Sequence, residues 1–401
     1  MSEAMVVDPD GSVTSPQGYE AGAVYAGMKS YGEDKLDLGV LASAQPCAVA
    51  AAFTRNRLRS ASIEVNVAHL ANGRAQAVVV NSGIANSSTG QRGIEDAEQV
   101  TEWTAKRLGI AAEDVLICST GVIGHFLPME KMQAGIEQLQ LSPLAGQDFA
   151  RAIMTTDTRP KHGAVRFGPY LLGGCAKGSG MIHPNMATML AFLTTDAPVD
   201  PAFLQSELRD AVDRSFNLLS VDGDTSPSDT ALLFANGAAG GDVIREGSPL
   251  SVEFSAALQA LCVYLAKEMG RDGEGATKLI EATVTGAATT DDARTLVRLL
   301  TTSYLLKSAV HGADPNWGRV VAVIGRSGVA FEEPEVSVTI CGTKVFERKQ
   351  PTDFDEAMVA EAMKADTVTI EVDLGAGYGS ATGWGCDLTA DYVHINADYH
   401  T

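Results

Sequence analysis

The residue with the most distinctive chemical potential is Thr188, which follows Ala187 and opens an apolar stretch. Taken alone, a threonine in this position is typical of a β-strand, because β-branched side chains suit pleated surfaces. If the bond before Thr188 were cut, its free α-amine would have a pKa of about 7.7–8.0 and would take the proton from its own hydroxyl. The same hydroxyl can make that cut by attacking the carbonyl carbon of Ala187, whose small side chain permits the approach. The pair therefore suggests a self-generated nucleophile for acyl transfer.

Acyl transfer also needs donors for a developing oxyanion, and the segment CSTGVIG at 118–124 offers two. The hydroxyl of Thr120 and the backbone N–H of Gly121 can both donate to such an oxygen. Losing one donor of this kind typically lowers the rate by about 10²–10³. The alternative interpretation is a plain turn after a strand, with glycine chosen for a positive φ.

Three further side chains are candidates for binding. Lys177 lies in a glycine-rich segment whose N–H groups can face an anion. Thr155, in MTTDTRPK, is otherwise typical of a loop or a helix cap. Glu274, in RDGEGATK, is otherwise expected in a solvent-exposed turn.

Metal and cofactor motifs are missing from the sequence. It contains no H-E-x-x-H, no G-x-x-x-x-G-K-[ST], no G-x-S-x-G and no C-x-x-C. No two of the seven histidines are three or four residues apart, so a helix-borne zinc site is not indicated. We expect neither a metal nor an organic cofactor.

The elements that must position these residues alternate between helix and strand along the whole chain. Apolar residues spaced three or four apart predict helices, and runs of Val and Ile between turn residues predict strands. Pro128 and Pro201 stand at expected helix starts. The predicted helices are 93–108, 129–139, 203–216, 255–269, 293–307 and 353–363; the predicted strands are 62–67, 77–81, 115–119, 279–285, 320–324, 336–341 and 367–372. This mixture predicts sheets covered by helices.

Composition limits the class of protein. Hydrophobic residues make up 45% and charged residues 20% of 401 residues, which is typical of globular chains. A net charge of −20 argues against nucleic acid or an anionic membrane as the main partner. Six scattered cysteines are typical of buried thiols in a reducing compartment. The polar start MSEAMVVDPDGSV does not resemble a secretory signal, so we expect a soluble cytoplasmic protein.

Across nearly its whole length, the sequence resembles the ornithine acetyltransferase family, also called the bifunctional glutamate N-acetyltransferase/amino-acid acetyltransferase family. Eight motifs carry the resemblance: NSGIANSSTG at 81–90, STGVIG at 119–124, MTTDTRPK at 154–161, KGSGMIHPNMATML at 177–190, SVDGDTS at 220–226, DGEGATKLIE at 272–281, DPNWGR at 314–319 and CDLTADYVHINADYHT at 386–401. Together they make Thr188 the expected nucleophile.

The resemblance implies self-cleavage between Ala187 and Thr188. The products would be an α chain, 1–187, with the oxyanion hole, and a β chain, 188–401, that begins with the nucleophile. The two chains would stay together, with two of each in the assembly. The implied fold is a mixed α/β (α+β) αββα layered sandwich, related to N-terminal nucleophile hydrolases.

The resemblance also assigns roles to residues. Thr120 and Gly121 would form the oxyanion hole, and Thr188 would carry the acetyl group as an ester. The implied reaction moves an acetyl group from N²-acetylornithine to glutamate in two half-reactions, within arginine biosynthesis or a related specialised pathway. Some family members also use acetyl-CoA, and no residue pattern separates the two kinds. The positions that match substrate contacts are Thr155, Lys177, Thr188, Glu274, Asn396 and Thr401.

A few positions depart from the commoner family pattern: Ile84, Ser88, Pro227-Ser228 and His394. We expect none of them to touch the nucleophile or the oxyanion hole, and substrate preference is the property that they bear on. Two other functions stay open from the residues alone. One is an amidase or aminopeptidase that uses the same threonine but passes the acyl group to water. The other is a binding protein that keeps an intact chain.

Overall fold

The computed structural model describes residues 5–29, 35–183 and 189–398. Within these ranges the chain forms two β-sheets and eleven α-helices. The strands are β1 Val7–Asp8, β2 Tyr19–Val24, β3 Leu38–Phe53, β4 Arg74–Ile84, β5 Val115–Val122, β6 Lys161–Phe167, β7 Tyr170–Lys177, β8 Leu190–Thr195, β9 Leu219–Ser220, β10 Thr230–Ala235, β11 Leu279–Ala287, β12 Ser337–Ile340, β13 Thr343–Glu347, β14 Gln350–Pro351, β15 Thr367–Asp373 and β16 Gly379–Cys386. The helices are α1 Ala61–His69, α2 Gly90–Leu108, α3 Met129–Gln138, α4 Gly146–Ala152, α5 Pro201–Asp213, α6 Ser251–Arg271, α7 Thr290–Thr302, α8 Tyr304–His311, α9 Trp317–Arg326, α10 Glu356–Ala362 and α11 Ala390–Asp398.

The larger sheet has the strand order β1-β6-β7-β8-β10-β3-β4-β5, and β2 pairs with β3. The long strand β3 joins two halves of this sheet. Its first part pairs with β4, and its last part pairs with β10 in the register Ala48↔Ala235 to Phe53↔Thr230. The pairing with β4 is interrupted between Ala42 and Cys47, where the register shifts.

Alternating side chains of this sheet enter different cores. One face of β3, β4 and β5 contributes Leu41 and Val78 to a core that also contains Phe192 of β8 and Phe234 of β10. The two halves of the sheet therefore pack together as two β layers. Because side chains alternate along a strand, the other face is left for helices.

Helices cover both outer faces. Val40 and Val79, next to the inward-facing residues, pack with α1, α2 and α3. On the other half of the sheet, Leu193 and Leu233 pack with α5 and α6. The order of layers is α, β, β, α, which confirms the predicted mixed α/β sandwich.

The smaller sheet has the order β14-β13-β12-β15-β11-β16-β9. Helix α7 packs on β11 and β16 and shares a core with α8, α9 and α10. Trp384 and Cys386 of β16 face the other way and belong to the core that holds α6. Helix α6 therefore contacts both sheets. Among the described residues, no helix is long and apolar enough to cross a membrane.

Most predicted elements are present, and two predicted strands are wrong. The segment 62–67 lies in helix α1, and 320–324 lies in helix α9. The predicted helix 293–307 is two helices, α7 and α8, because Ser303 lies at the end of the first and at the start of the second. The Ser303 hydroxyl caps the second helix by accepting the N–H of Leu306 at 3.4 Å. The chain boundary predicted at Ala187–Thr188 lies outside the described residues.

Candidate active site

The ends of two parallel strands build the first wall of the site. Strands β4 and β5 run in parallel, with Gly83 opposite Gly121, so both carboxyl ends lie at one edge. Gly121 has a φ of +130°, and a Cβ atom there would collide with the Gly83 backbone. Only glycine fits such a conformation without strain. Thr120, just before it, is buried with 6% of its surface exposed.

Lys177 ends strand β7 and reaches the same region. It is 3% exposed, and its Nζ donates to Thr155 Oγ1 at 3.3 Å. Burial lowers the pKa of Lys177, while the carboxyl groups of Asp157 and Asp229 act in the opposite direction. An ammonium group in such surroundings favours an anionic partner, because a ligand carboxylate restores the stabilisation that water no longer gives.

A buried ion network holds the segments that carry Thr155 and Lys177. Lys161 is 2% exposed and pairs with Asp157 and with Asp272, the latter at 2.6 Å. Asp157 also accepts the N–H groups of Thr155 at 2.9 Å and Gly178 at 2.8 Å. Burial opposes its ionisation, but the ammonium groups outweigh that effect, and the pKa of Asp157 lies well below its usual value.

Glu274 is tied to the same network from the other side. Its N–H donates to the carbonyl oxygen of Ser179 at 2.8 Å, and the Ser179 hydroxyl donates to the carbonyl oxygen of Asp272 at 2.8 Å. Its carboxylate accepts from Asn396 Nδ2 at 2.7 Å. Glu274 is 8% exposed, so the interpretation of this residue as a solvent-exposed turn is wrong. A Cβ atom at Gly180 would lie 2.5 Å from both carboxylate oxygens, so a side chain there would displace the carboxylate.

One pocket, with a cavity volume of about 80 Å³, brings the predicted residues together. Its lining includes six of them: Thr120, Gly121, Thr155, Lys177, Glu274 and Asn396. Ala187, Thr188 and Thr401 lie outside the described residues. A cation and an anion in one small pocket suit a ligand that carries both charges, such as an amino acid.

Sequence reasoning missed part of this lining. The pocket also contains Met181, Ser226 and Ser228, among others. The departures from the family pattern were expected to lie away from Thr120 and Gly121. Ser228 instead lines the same pocket as these two residues, and Ile84 pairs with Thr120. Among the described residues, no group of three or more His, Cys, Asp or Glu side chains is arranged to hold a metal.

The αββα layers and a pocket that brings Thr120 and Gly121 beside the charged groups of Lys177 and Glu274 are those of a mixed α/β enzyme. The chain belongs to the ArgJ family, whose model matches residues 20–401. It is accordingly an acetyltransferase of arginine biosynthesis.

The chain is similar to a named relative along its whole length and to solved structures over about half of its length. The "Arginine biosynthesis bifunctional protein ArgJ" of Dehalococcoides mccartyi is 46% identical over 405 residues, which cover 100% of both chains. The crystal structure of the protein of the same name from Bacillus halodurans is 42% identical, with a TM-score of 0.51, and covers 52% of this chain and 98% of that one. The ornithine acetyltransferase of Mycobacterium tuberculosis, complexed with ornithine, is 37% identical, with a TM-score of 0.43, and covers 45% of this chain and 98% of that one.

Proposed function

We propose that the chain cuts itself between Ala187 and Thr188 and that the freed Thr188 moves an acetyl group from N²-acetylornithine to glutamate. The observation that carries the proposal is the pocket in which Thr120, Gly121 and Lys177 meet. The α chain, 1–187, supplies these three residues, and the β chain, 188–401, supplies the nucleophile. By resemblance to the family, the assembly contains two of each chain.

The first half-reaction forms an ester. The Thr188 hydroxyl attacks the acetyl carbonyl carbon while its α-amine takes the proton. The oxyanion is held by the Thr120 hydroxyl and the Gly121 N–H, which act where negative charge develops. When the C–N bond breaks, the proton passes to the leaving α-amino group of ornithine. In the second half, the glutamate amine attacks the acetyl-Thr188 ester, so the kinetics are ping-pong.

The charges in the pocket match acetylornithine. The ammonium of Lys177 receives the α-carboxylate by a charge-assisted hydrogen bond. The carboxylate of Glu274, oriented by Asn396, receives the side-chain ammonium. Thr155 and the terminal Thr401 complete the substrate contacts. Because relatives are named bifunctional, we include acetyl-CoA as a second acetyl donor.

Intact mass under denaturing conditions tests the nucleophile. Divided by length, the mass of 42.0 kDa gives pieces of about 20 and 22 kDa if an N-terminal threonine is released. We expect both pieces in the wild type, with Thr188 at the start of the larger one. The variant Thr188→Ala should keep the full mass. A wild-type chain that stays intact on incubation would contradict the mechanism and favour a binding protein.

A transfer assay then separates acetyltransferase from hydrolase. With acetylornithine and glutamate together, we expect N-acetylglutamate and ornithine in equal amounts. Without glutamate, ornithine release should slow strongly, because a transferase keeps water from its ester. Release that is equally fast without glutamate would instead assign the amidase function.

A further inference from the structure

Asp229 is a buried carboxyl group beside the start of strand β8. It is 1% exposed, and its Oδ1 accepts the N–H of Met189 at 3.0 Å. Its Oδ2 is also buried and has no hydrogen-bond partner among the described residues. The hydroxyl of Thr54 lies nearby but donates to the carbonyl oxygen of Ser226 at 2.9 Å. A buried carboxylate oxygen without a donor is costly, so its retention calls for a partner.

The backbone around Asp229 fixes this geometry. Its carbonyl oxygen accepts the Thr54 N–H at 3.0 Å. The next residue, Thr230, donates its N–H to the carbonyl oxygen of Met189 at 3.0 Å and starts the parallel pairing of β10 with β8. The carboxyl group therefore sits where the two strands first meet.

Covalent geometry brings this carboxyl group close to the nucleophile. Met189 is bonded to Thr188, and a backbone nitrogen lies about 2.4 Å from the preceding Cα atom because bond lengths and angles are fixed. An oxygen 3.0 Å from Met189 N is therefore less than about 6 Å from the Thr188 Cα atom, whatever the conformation of Thr188. The α-amine and the hydroxyl of Thr188 lie one and two bonds further on.

The charges around Asp229 come from few groups. Burial raises the pKa of Asp229 well above its usual value, and Lys177 on β7 is the cation that acts against this effect. Lys177 in turn is influenced by Asp157, Lys161 and Glu274. A carboxyl group that resists ionisation and a neighbouring amine tend to share one proton and to titrate as a pair.

We propose that Asp229 is a positioning residue for Thr188. Its Oδ1 holds the Thr188–Met189 peptide group, and its Oδ2 accepts a hydrogen bond from the α-amino group that cleavage releases. This contact directs the lone pair of the amine toward the Thr188 hydroxyl. The inference rests on the proposed function, because it requires the freed amine to act as the base.

The variant Asp229→Asn tests the second contact. An asparagine oxygen still accepts the Met189 N–H, whereas its NH₂ group puts a donor where an acceptor is needed. We expect complete cleavage, kcat lower by about tenfold or more, and KM for acetylornithine changed less than about threefold. The acid limb of the kcat/KM profile should move to lower pH, because the amine beside Lys177 loses a proton-sharing partner.

The variant Asp229→Ala tests the first contact without an activity assay. It removes both oxygens, so we expect the 42.0 kDa chain to convert to its two pieces at least about tenfold more slowly than in the wild type. Asp196→Asn is the matched control. Asp196 is a buried carboxylate at the opposite end of β8 that accepts the N–H groups of Gln17 and Leu171, both at 3.0 Å. This control should lower stability but leave the cleavage rate and the pH profile unchanged.

The outcomes separate the inference from the proposed function. An uncleaved or inactive wild type overturns both. An active wild type with Asp229→Asn and Asp229→Ala variants that match it in cleavage and in pH profile overturns only the role of Asp229. If neither variant folds, Asp229→Glu is the deciding variant, because it keeps the carboxyl group. A lower kcat with an unshifted acid limb of the kcat/KM pH profile supports the inference. A displaced acid limb overturns it.

Discussion

Gly121 is a residue at which backbone geometry and the proposed chemistry depend on each other. Its φ of +130° fixes the orientation of its N–H group, and the methyl group of an alanine at this position would collide with the Gly83 backbone. In Gly121→Ala the strand must move, and the N–H moves with it. We expect the rate of acetyl transfer to fall by about 10²–10³, the usual effect of losing one oxyanion donor. The measurement is kcat at saturating acetylornithine and glutamate, divided by the cleaved fraction.

Gly109→Ala is the control for backbone strain. Gly109 ends helix α2 with a φ of +73°, and a Cβ atom there has nothing within 4 Å. This variant should melt at a lower temperature, because alanine rarely adopts a positive φ. Its transfer rate should equal that of the wild type. Equal rates in Gly121→Ala and the wild type would exclude Gly121 from the oxyanion hole.

At the scale of residues, the sequence was informative where a motif implied a backbone shape. Gly121 and Lys177 were found from glycine-rich segments, and the structure places both in the pocket. Glu274 looked exposed because its neighbours are small and polar. It is buried because distant segments cover it, notably Asn396, which is 122 positions away. Local composition does not contain such long-range contacts.

At the scale of elements, the ion network around Lys161 fixes the segments that form one side of the pocket. Lys161→Met would leave the buried carboxylates of Asp157 and Asp272 without their shared cation. Removing one partner of a buried ion pair lowers the free energy of unfolding by about 3–5 kcal/mol, because the other charge stays buried without a partner. We expect the free energy of unfolding in urea to fall by this amount. Lys364→Met breaks an exposed pair with Glu361 and should have no measurable effect.

The same network predicts a pH dependence of stability. The pKa of Asp157 is lower in the folded chain than in the unfolded chain, where it is about 3.9. Its contribution to stability is therefore present above about pH 4 and is lost as the pH falls toward its folded pKa. The difference in unfolding free energy between the wild type and Asp157→Asn should be largest near pH 7 and should narrow below about pH 4. A difference that stays constant down to pH 2 would contradict this account.

The two wrongly predicted strands show that local residue preference does not include the effect of contacts with distant parts of the chain. The segment 320–324 is rich in Val, which favours a strand, yet Val320, Val323 and Ile324 are buried at helical spacing and Asn316 caps the helix. In helix α1, Asn66 bonds both the N–H and the carbonyl oxygen of Ile117, so contact with β5 outweighs local preference. Strand β3 was not predicted from the sequence. Its many alanines are more typical of a helix than of a strand.

At the scale of the whole molecule, the strand order places the two proposed chains within one sheet. Strands β8 and β10 of the β chain lie between β7 and β3 of the α chain. We expect the pieces of about 20 and 22 kDa to co-elute on gel filtration under native conditions, because separating them breaks the β7–β8 ladder and the β3–β10 ladder. In urea, dissociation and the loss of helical signal should occur at the same concentration.

Leu265→Ala provides a comparison for this experiment. Leu265 of α6 is fully buried near Gly174 of the larger sheet, and its truncation should lower stability by about 2–5 kcal/mol. Dissociation of the pieces and loss of helical signal should then both shift, together, to a lower urea concentration. Pieces that separate in native buffer, or a dissociation that precedes unfolding, would contradict the interleaved association.

The interleaved strand order also constrains the timing of biosynthesis. The ribosome finishes β7 long before β10, and β8 cannot be enclosed until β10 pairs with β3. The larger sheet therefore cannot be complete before the chain has been synthesised as far as residue 235. Cutting earlier would release a nascent chain lacking two central strands. If the chain cuts itself as we propose, this order of folding restricts self-cleavage to molecules that have already formed the sheet.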